Sequence, residues 1–113
     1  MLLKGASRFA FSMLVFIGVT GYAIAQSPET FYTRGMQAAR RGDYAQAVAD
    51  LQRAVDLQPD FAKAHAGLGT IYLHLGAFDA SVAALQRALS IKPGLLQAEA
   101  NLAAVYTLSL IHI

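Results

Sequence analysis

The sequence predicts an all-α fold, an α-solenoid built from antiparallel helix pairs. Three observations carry that expectation: an internal repeat, apolar stripes at helical spacing, and glycine and proline at matching places where helices must stop. Aligning residues 28–61 with 62–95, a shift of 34 positions, sets Gly35 on Gly69, Gly42 on Gly76 and Pro59 on Pro93. The same shift lays Leu51, Gln52, Arg53 and Ala54 on Leu85, Gln86, Arg87 and Ala88. Identities this numerous at one offset mark a stacked unit, which buries its apolar face only against a neighbour.

The residues ahead of the repeat differ in character. At 56% hydrophobic the chain as a whole reads as unusually apolar, but much of the excess falls in residues 1–25. There Lys4 and Arg8 precede an uncharged run from Phe9 to Ala25, and the small residues Ala23 and Ala25 stand before Gln26. A basic start, an apolar centre and a small-residue site are the three parts of a secretory signal peptide, expected over 1–25 with cleavage after Ala25. The alternative is an uncleaved membrane anchor, since a span takes about 20 apolar residues. Gly18, Thr20, Gly21 and Tyr22 thin the end of the run, which counts against a span, and the Ala23, Ala25 pair decides for cleavage. The chain is therefore expected in the periplasm of a bacterial envelope or secreted, or else anchored to the membrane by that segment. No cysteine follows the site, so no lipid is attached there.

Helix signals then follow in order. Ser27 is a good N-cap, Pro28 suits the first helical position, and Glu29 sets a carboxylate against the positive end of the helix dipole. The first helix opens near Pro28. Gly42 stops it, because glycine takes the left-handed conformation at a helix end at little cost, and Gly76 does the same one unit on. Tyr44, Ala47, Val48, Leu51, Ala54 and Val55 make one stripe for the second helix, repeated by Phe78, Val82, Leu85, Ala88 and Leu89 in the fourth. Between them Phe61, Ala64, Leu68, Ile71, Tyr72 and Leu75 give the stripe of the third. Pro59 and Pro93 end the second and fourth helices, since proline lacks the amide hydrogen and disfavours helix in the residue before it. Gly35, Gly69, Ala54 and Ala88 are expected where neighbouring helices approach closely.

These residues resemble the tetratricopeptide repeat, a helix-turn-helix family of 34-residue units. The second unit, 62–95, supplies Leu68, Gly69, Tyr72, Leu85, Ala88 and Pro93 at the family's places; the first, 28–61, supplies Phe31, Gly35, Ala47, Leu51, Ala54 and Pro59. Both put leucine at the family's aromatic place. A partial third unit, 96–107, opens at Leu96 with Asn101, Leu102, Ala103 and Tyr106 in matching places, alanine standing for the usual glycine. The resemblance implies a right-handed α-solenoid of two full units plus the first helix of a third. Residues 108–113, Leu-Ser-Leu-Ile-His-Ile, break the pattern where the third glycine turn is due. They read as a translated sequencing-adapter artefact, with the gene cut off inside the third unit; a natural apolar last turn is the alternative. Either way the solenoid is expected to end without a polar cap, which favours self-association through that face.

Charge and chemistry narrow the function. Without residues 1–25 the chain keeps seven basic and seven acidic groups, because Lys4 and Arg8 leave and no acid does. No basic stripe remains for nucleic acid, and the membrane is met only through the signal segment. With no cysteine there is neither a disulfide nor a thiolate metal site. His65 and His74 stand nine residues apart, which does not bring them together on one helix face, and no carboxylate completes a metal set. His65 reads as a partly buried packing residue, and His112 belongs to the suspect tail. Asp43, Asp50, Asp56, Asp60 and Asp79 read as caps or solvated charge rather than acid–base pairs. Without a glycine-rich phosphate loop or a nucleophile elbow either, no catalytic, cofactor-binding or metal-binding residue is expected, and the protein is read as no enzyme.

Recognition of a protein or peptide partner remains. The resemblance implies a concave groove lined by the first helix of each unit: Tyr32, Met36 and Arg40, then Lys63, Thr70, Leu73 and His74, then Gln97 and Thr107. Met36 and Tyr32 suit an apolar anchor, Arg40 and Lys63 a carboxylate or polar backbone. Some members of the family grip a chaperone's terminal carboxylate with lysine and asparagine on these helices. Tyr32 and Met36, or Ala66 and Thr70, occupy those places here, so that specificity is not implied. The expected function is an exported scaffold for cell-envelope assembly; the alternative is a recruiting front end of a longer, truncated enzyme or secretion component.

Overall fold

A computed structural model describes residues 26–111. The expected signal segment at 1–25, and His112 and Ile113, lie outside the described residues. Five helices follow one another: α1 Pro28–Arg40, α2 Tyr44–Leu57, α3 Ala62–His74, α4 Phe78–Ile91 and α5 Leu96–Ile111. There is no strand among the described residues. α1 packs on α2 and α3 on α4 as antiparallel hairpins, α2 meets α3 across the stack, and α5 lies against α4 and α3.

Local chemistry sets the helix ends. Ser27 Oγ accepts the Thr30 amide, with Pro28 and Glu29 in the first turn. Asp43 caps α2 by accepting the Gln46 amide at 3.2 Å. Gly42 and Gly76 take φ values of 81° and 76°. Around them the Gly42 and Asp43 amides donate to the carbonyls of Ala39 and Ala38, and the Gly76 and Ala77 amides to those of Leu73 and Tyr72. This paired bonding satisfies carbonyls that a helix end leaves open, and it needs a residue at ease with positive φ. α2 and α4 end at Leu57 and Ile91, and Gln58 and Lys92, the residues before Pro59 and Pro93, leave the helical conformation as those prolines demand.

Leucine knobs and absent side chains make the core. Leu51 and Leu85 are wholly buried. A Cβ built on Gly35 would stand 2.9 Å from Leu51 Cγ, and one on Gly69 would stand 2.5 Å from Leu85 Cγ. Within each hairpin the second helix therefore drives its leucine into the notch left by a glycine of the first. Ala38, Ala47, Ala54 and Ala64 surround Leu51, and Ala88, Ala98 and Val105 surround Leu85. Where the first unit has Ala47 the second has Ser81, buried, whose hydroxyl donates to the Gly69 carbonyl at 2.6 Å.

Some expectations change. Leu75, expected on the buried stripe of α3, is 53% exposed: it is the C-cap, where the chain turns off the helix and the 3.6-residue period no longer holds. Asp50, expected on a solvated face, is only 4% exposed. It sits beside Ala47 and Ala54 on the face of α2 turned to α1, accepts from Gln46 Nε2 at 3.1 Å and lies 3.9 Å from the Arg34 guanidinium. α5 runs past Thr107 to Ile111, since Leu108, Ser109, Leu110 and Ile111 include neither glycine nor proline. On α5, Ala103 stands where Gly35 and Gly69 stand in the full units, yet it is exposed, as are Tyr106, Leu110 and Ile111.

Overpacking the notches is expected to destabilise the fold. Ala88→Leu should cost about 1–3 kcal/mol. Gly69→Ala should also lose stability, although alanine is favoured over glycine in a helix by about 1 kcal/mol, because Leu85 must move. Urea denaturation of each variant measures both, and an unchanged midpoint for either would contradict the packing described.

Candidate functional site

α1 and α3 lie side by side, and the surface between them is a groove made of two shallow cavities. The first, of about 270 Å³, is bounded by Tyr32 and Met36 from α1, Lys63, Ala66 and Thr70 from α3, and Gln97 from α5. The second, of about 170 Å³, takes Met36 and Arg40 from α1, Thr70 and His74 from α3, and Tyr44 from α2. Met36, Gly67 and Thr70 line both, so the two cavities form one channel with a shared floor.

The groove's depth follows from Gly67. A Cβ there would stand 3.3 Å from both Met36 Sδ and Leu51 Cδ1. The missing side chain lets Met36 lie across α3 and brings the groove floor down on the knob of the core. Aromatic contacts brace the rim: Tyr32 packs on Phe61 with centroids 5.2 Å apart, and His74 stacks on Tyr44 at 5.7 Å, 7° from parallel.

A polar chain crosses from α3 to α5. Asn101 Nδ2 donates to Thr70 Oγ1 at 2.6 Å, Gln97 Nε2 donates to Asn101 Oδ1 at 3.0 Å, and Thr70 Oγ1 donates to the Ala66 carbonyl. These bonds orient Thr70 and Gln97 at the groove and tie the third unit to the second. Both cavities present cations, Lys63 in one and Arg40 in the other, and no aspartate or glutamate lines either.

Tyr32, Met36, Arg40, Lys63, Thr70, His74 and Gln97 thus come together along one channel. Leu73 does not join them: it packs against the cluster of Leu85, Ala88, Ala98 and Val105, because it sits on the flank of α3 turned to the next unit. Thr107 lines neither cavity and its hydroxyl donates back to the Ala103 carbonyl at 3.0 Å. Sequence reasoning did not place Gly67 or Asn101 at the groove, although Asn101 stands among the matching places of the third unit. Both hold the same position in successive units, 34 residues apart, so one place is empty in the second unit and polar in the third. His65 is half-buried, with Nε2 2.8 Å from the Pro59 carbonyl across the interhelical loop. Among the described residues no three histidine or acidic side chains are placed to hold a metal ion.

Stacked helix hairpins with a channel along their first helices define a helical repeat scaffold. A family model described as tetratricopeptide repeat matches residues 32–95, more than half of the chain. The chain belongs to the tetratricopeptide repeat family. It is similar to a crystal structure of MamA, at 30% identity with a TM-score of 0.70, covering 74% of this chain and 45% of that one. The second TPR domain of human RPAP3, solved in complex with the HSP70 peptide SGPTIEEVD, matches at 24% identity and a TM-score of 0.69, covering 73% of this chain and 68% of that domain. YrrB, described as a TPR protein with an unusual peptide-binding site, matches at 23% and 0.69, covering 74% of this chain and 43% of its own. The last two likenesses are of fold alone. The chain spans about half the length of the MamA structures it matches. No curated protein matches it.

Thr70 and Asn101 are expected to be coupled. In a double-mutant cycle with Thr70→Val and Asn101→Ala, the interaction energy should come to about 0.5–1.5 kcal/mol, the net worth of a hydrogen bond. Thermal or urea denaturation of the four proteins measures it, and strict additivity would show that this bond does not hold α5 to α3.

Proposed function

We propose that the protein is an exported, non-catalytic scaffold of the cell envelope that holds a partner's extended segment in the channel between α1 and α3. The observation that carries this reading is the channel itself: two cavities joined through Met36, Gly67 and Thr70, ringed by aromatic and cationic side chains. Helix backbone groups on its floor are already paired, so recognition falls to side chains. Met36 and Tyr32 offer an adaptable apolar contact, while Lys63 and Arg40 offer charge-assisted hydrogen bonds to carboxylates. A segment with one apolar anchor flanked by acidic residues fits that chemistry. The peptide in the RPAP3 complex, SGPTIEEVD, is itself acidic, which supports a groove of this fold as a seat for such a segment. Lysine and asparagine are nevertheless absent from the places noted for Tyr32, Met36, Ala66 and Thr70, and a chaperone tail is not proposed. The apolar run of residues 9–25 with Ala23 and Ala25 supports export, so the partner is one met outside the cytoplasm.

Peptides selected from a random library against residues 26–111 test this by calorimetry. Met36→Ala and Lys63→Ala should each weaken binding by roughly five- to fifty-fold, the range of about 1–2.3 kcal/mol, while Arg87→Ala on α4 leaves it unchanged. Raising the salt concentration should weaken the wild type more than Lys63→Ala, because screening acts on the charge contact that the variant lacks. No loss for either groove variant would move the binding site off this face.

A further inference from the structure

We infer that Gln26, once it becomes the first residue of the exported chain, closes on itself to a pyroglutamate, so that the mature protein begins with a neutral lactam. This rests on the proposed cleavage after Ala25. The ordered helix starts just beyond it: Ser27 is extended at φ −74° and ψ 153°, its hydroxyl caps the Thr30 amide, and the first ladder bond runs from the Phe31 amide to the Ser27 carbonyl at 3.2 Å. Gln26 is exposed and stands outside that ladder. Neither its nitrogen nor its side chain is needed to hold α1.

An internal glutamine cannot cyclise, because its backbone nitrogen is an amide. Cleavage turns that nitrogen into an amine. It attacks its own side-chain Cδ and closes a five-membered ring: the new C–N bond forms, the bond from Cδ to the amide nitrogen breaks, and that nitrogen takes the amine's proton and leaves as ammonia. No oxidant or second reactant is required.

The surroundings favour the neutral product. Gln26 borders a shallow cavity of about 230 Å³ with Phe31, Arg53, Asp56 and Leu57. The guanidinium groups of Arg34 and Arg53 lie 5.6 and 5.5 Å from the Phe31 ring centroid. An ammonium at residue 26 would stand ahead of the positive end of α1 and at the cavity that Arg53 lines, with Asp56 as the carboxylate there. The lactam removes that charge and the primary amide beside Phe31 and the 54% exposed Leu57.

The whole gene, expressed in a Gram-negative host and recovered from the periplasm, supplies the test by peptide mass spectrometry with amine labelling. The expected N-terminal peptide begins at residue 26, is lighter than encoded by one ammonia and takes no label; in Gln26→Ala it has its encoded mass and a labelled amine. A peptide that begins at Gln26 at full mass, still labelled after incubation at neutral pH, overturns the cyclisation and leaves the cleavage standing. A peptide that begins elsewhere overturns the cleavage and the cyclisation with it.

Discussion

The fit of one leucine against glycine holds the structure together and shapes its working surface. Leu51 reaches from α2 into the notch of Gly35 on its own hairpin partner and also fills the space beside Gly67 on the next unit, 3.3 Å from where a Cβ there would stand. One side chain thus sets the spacing inside the first hairpin and between the first and second. Leu85 repeats the intra-hairpin half of this contact at Gly69. Interiors packed this closely give way only by moving helices, which is why the small residues at these places constrain the whole stack.

The groove inherits its form from that contact. Gly67 belongs at once to the core, where it meets Leu51, and to the channel, where it lets Met36 lie low across α3. Division of labour between the helices follows. First helices face their neighbours' first helices and carry Tyr32, Met36, Arg40, Lys63, Thr70 and His74; their own acids, Glu29 and Glu99, line neither cavity, and Asp43, Asp50, Asp56 and Asp79 lie on or at the caps of the second helices. The channel therefore keeps its cations free of competing carboxylates while the protein without residues 1–25 stays formally neutral. The third unit shows the same logic incomplete: α5 is held by Val105 and Ala98 on one side and by Asn101 on another, while the face that a second helix covers in the other units is open.

Much of the fold was legible because its signals are local or periodic. Caps at Ser27, Asp43, Gly42 and Gly76 depend on a few neighbouring residues, and the 34-residue offset states the stacking outright. Misreadings fell where a residue's role depends on a partner far along the chain. Asp50 reads as a surface acid until α1 brings Arg34 beside it; Leu73 reads as groove lining until α5 turns its flank into core. Gly67 drew no attention because the glycine two residues on, Gly69, carries the family's pattern, and the floor it makes exists only when α1 arrives. Tyr32, Met36 and Arg40 fall on one line of α1 and Lys63, Thr70 and His74 on the facing one of α3, an arrangement that the family resemblance implies and helical spacing permits.

The central claim is that recognition runs along the channel of α1 and α3, and amide-resolved NMR of a selected peptide titrated into the ¹⁵N-labelled protein tests it most directly. The account predicts that saturating shifts cluster at Tyr32, Met36, Lys63, Gly67 and Thr70, with the outer helices at Gln52 and Gln86 left still. Shifts confined to α2 and α4, with the channel residues unmoved, would contradict it.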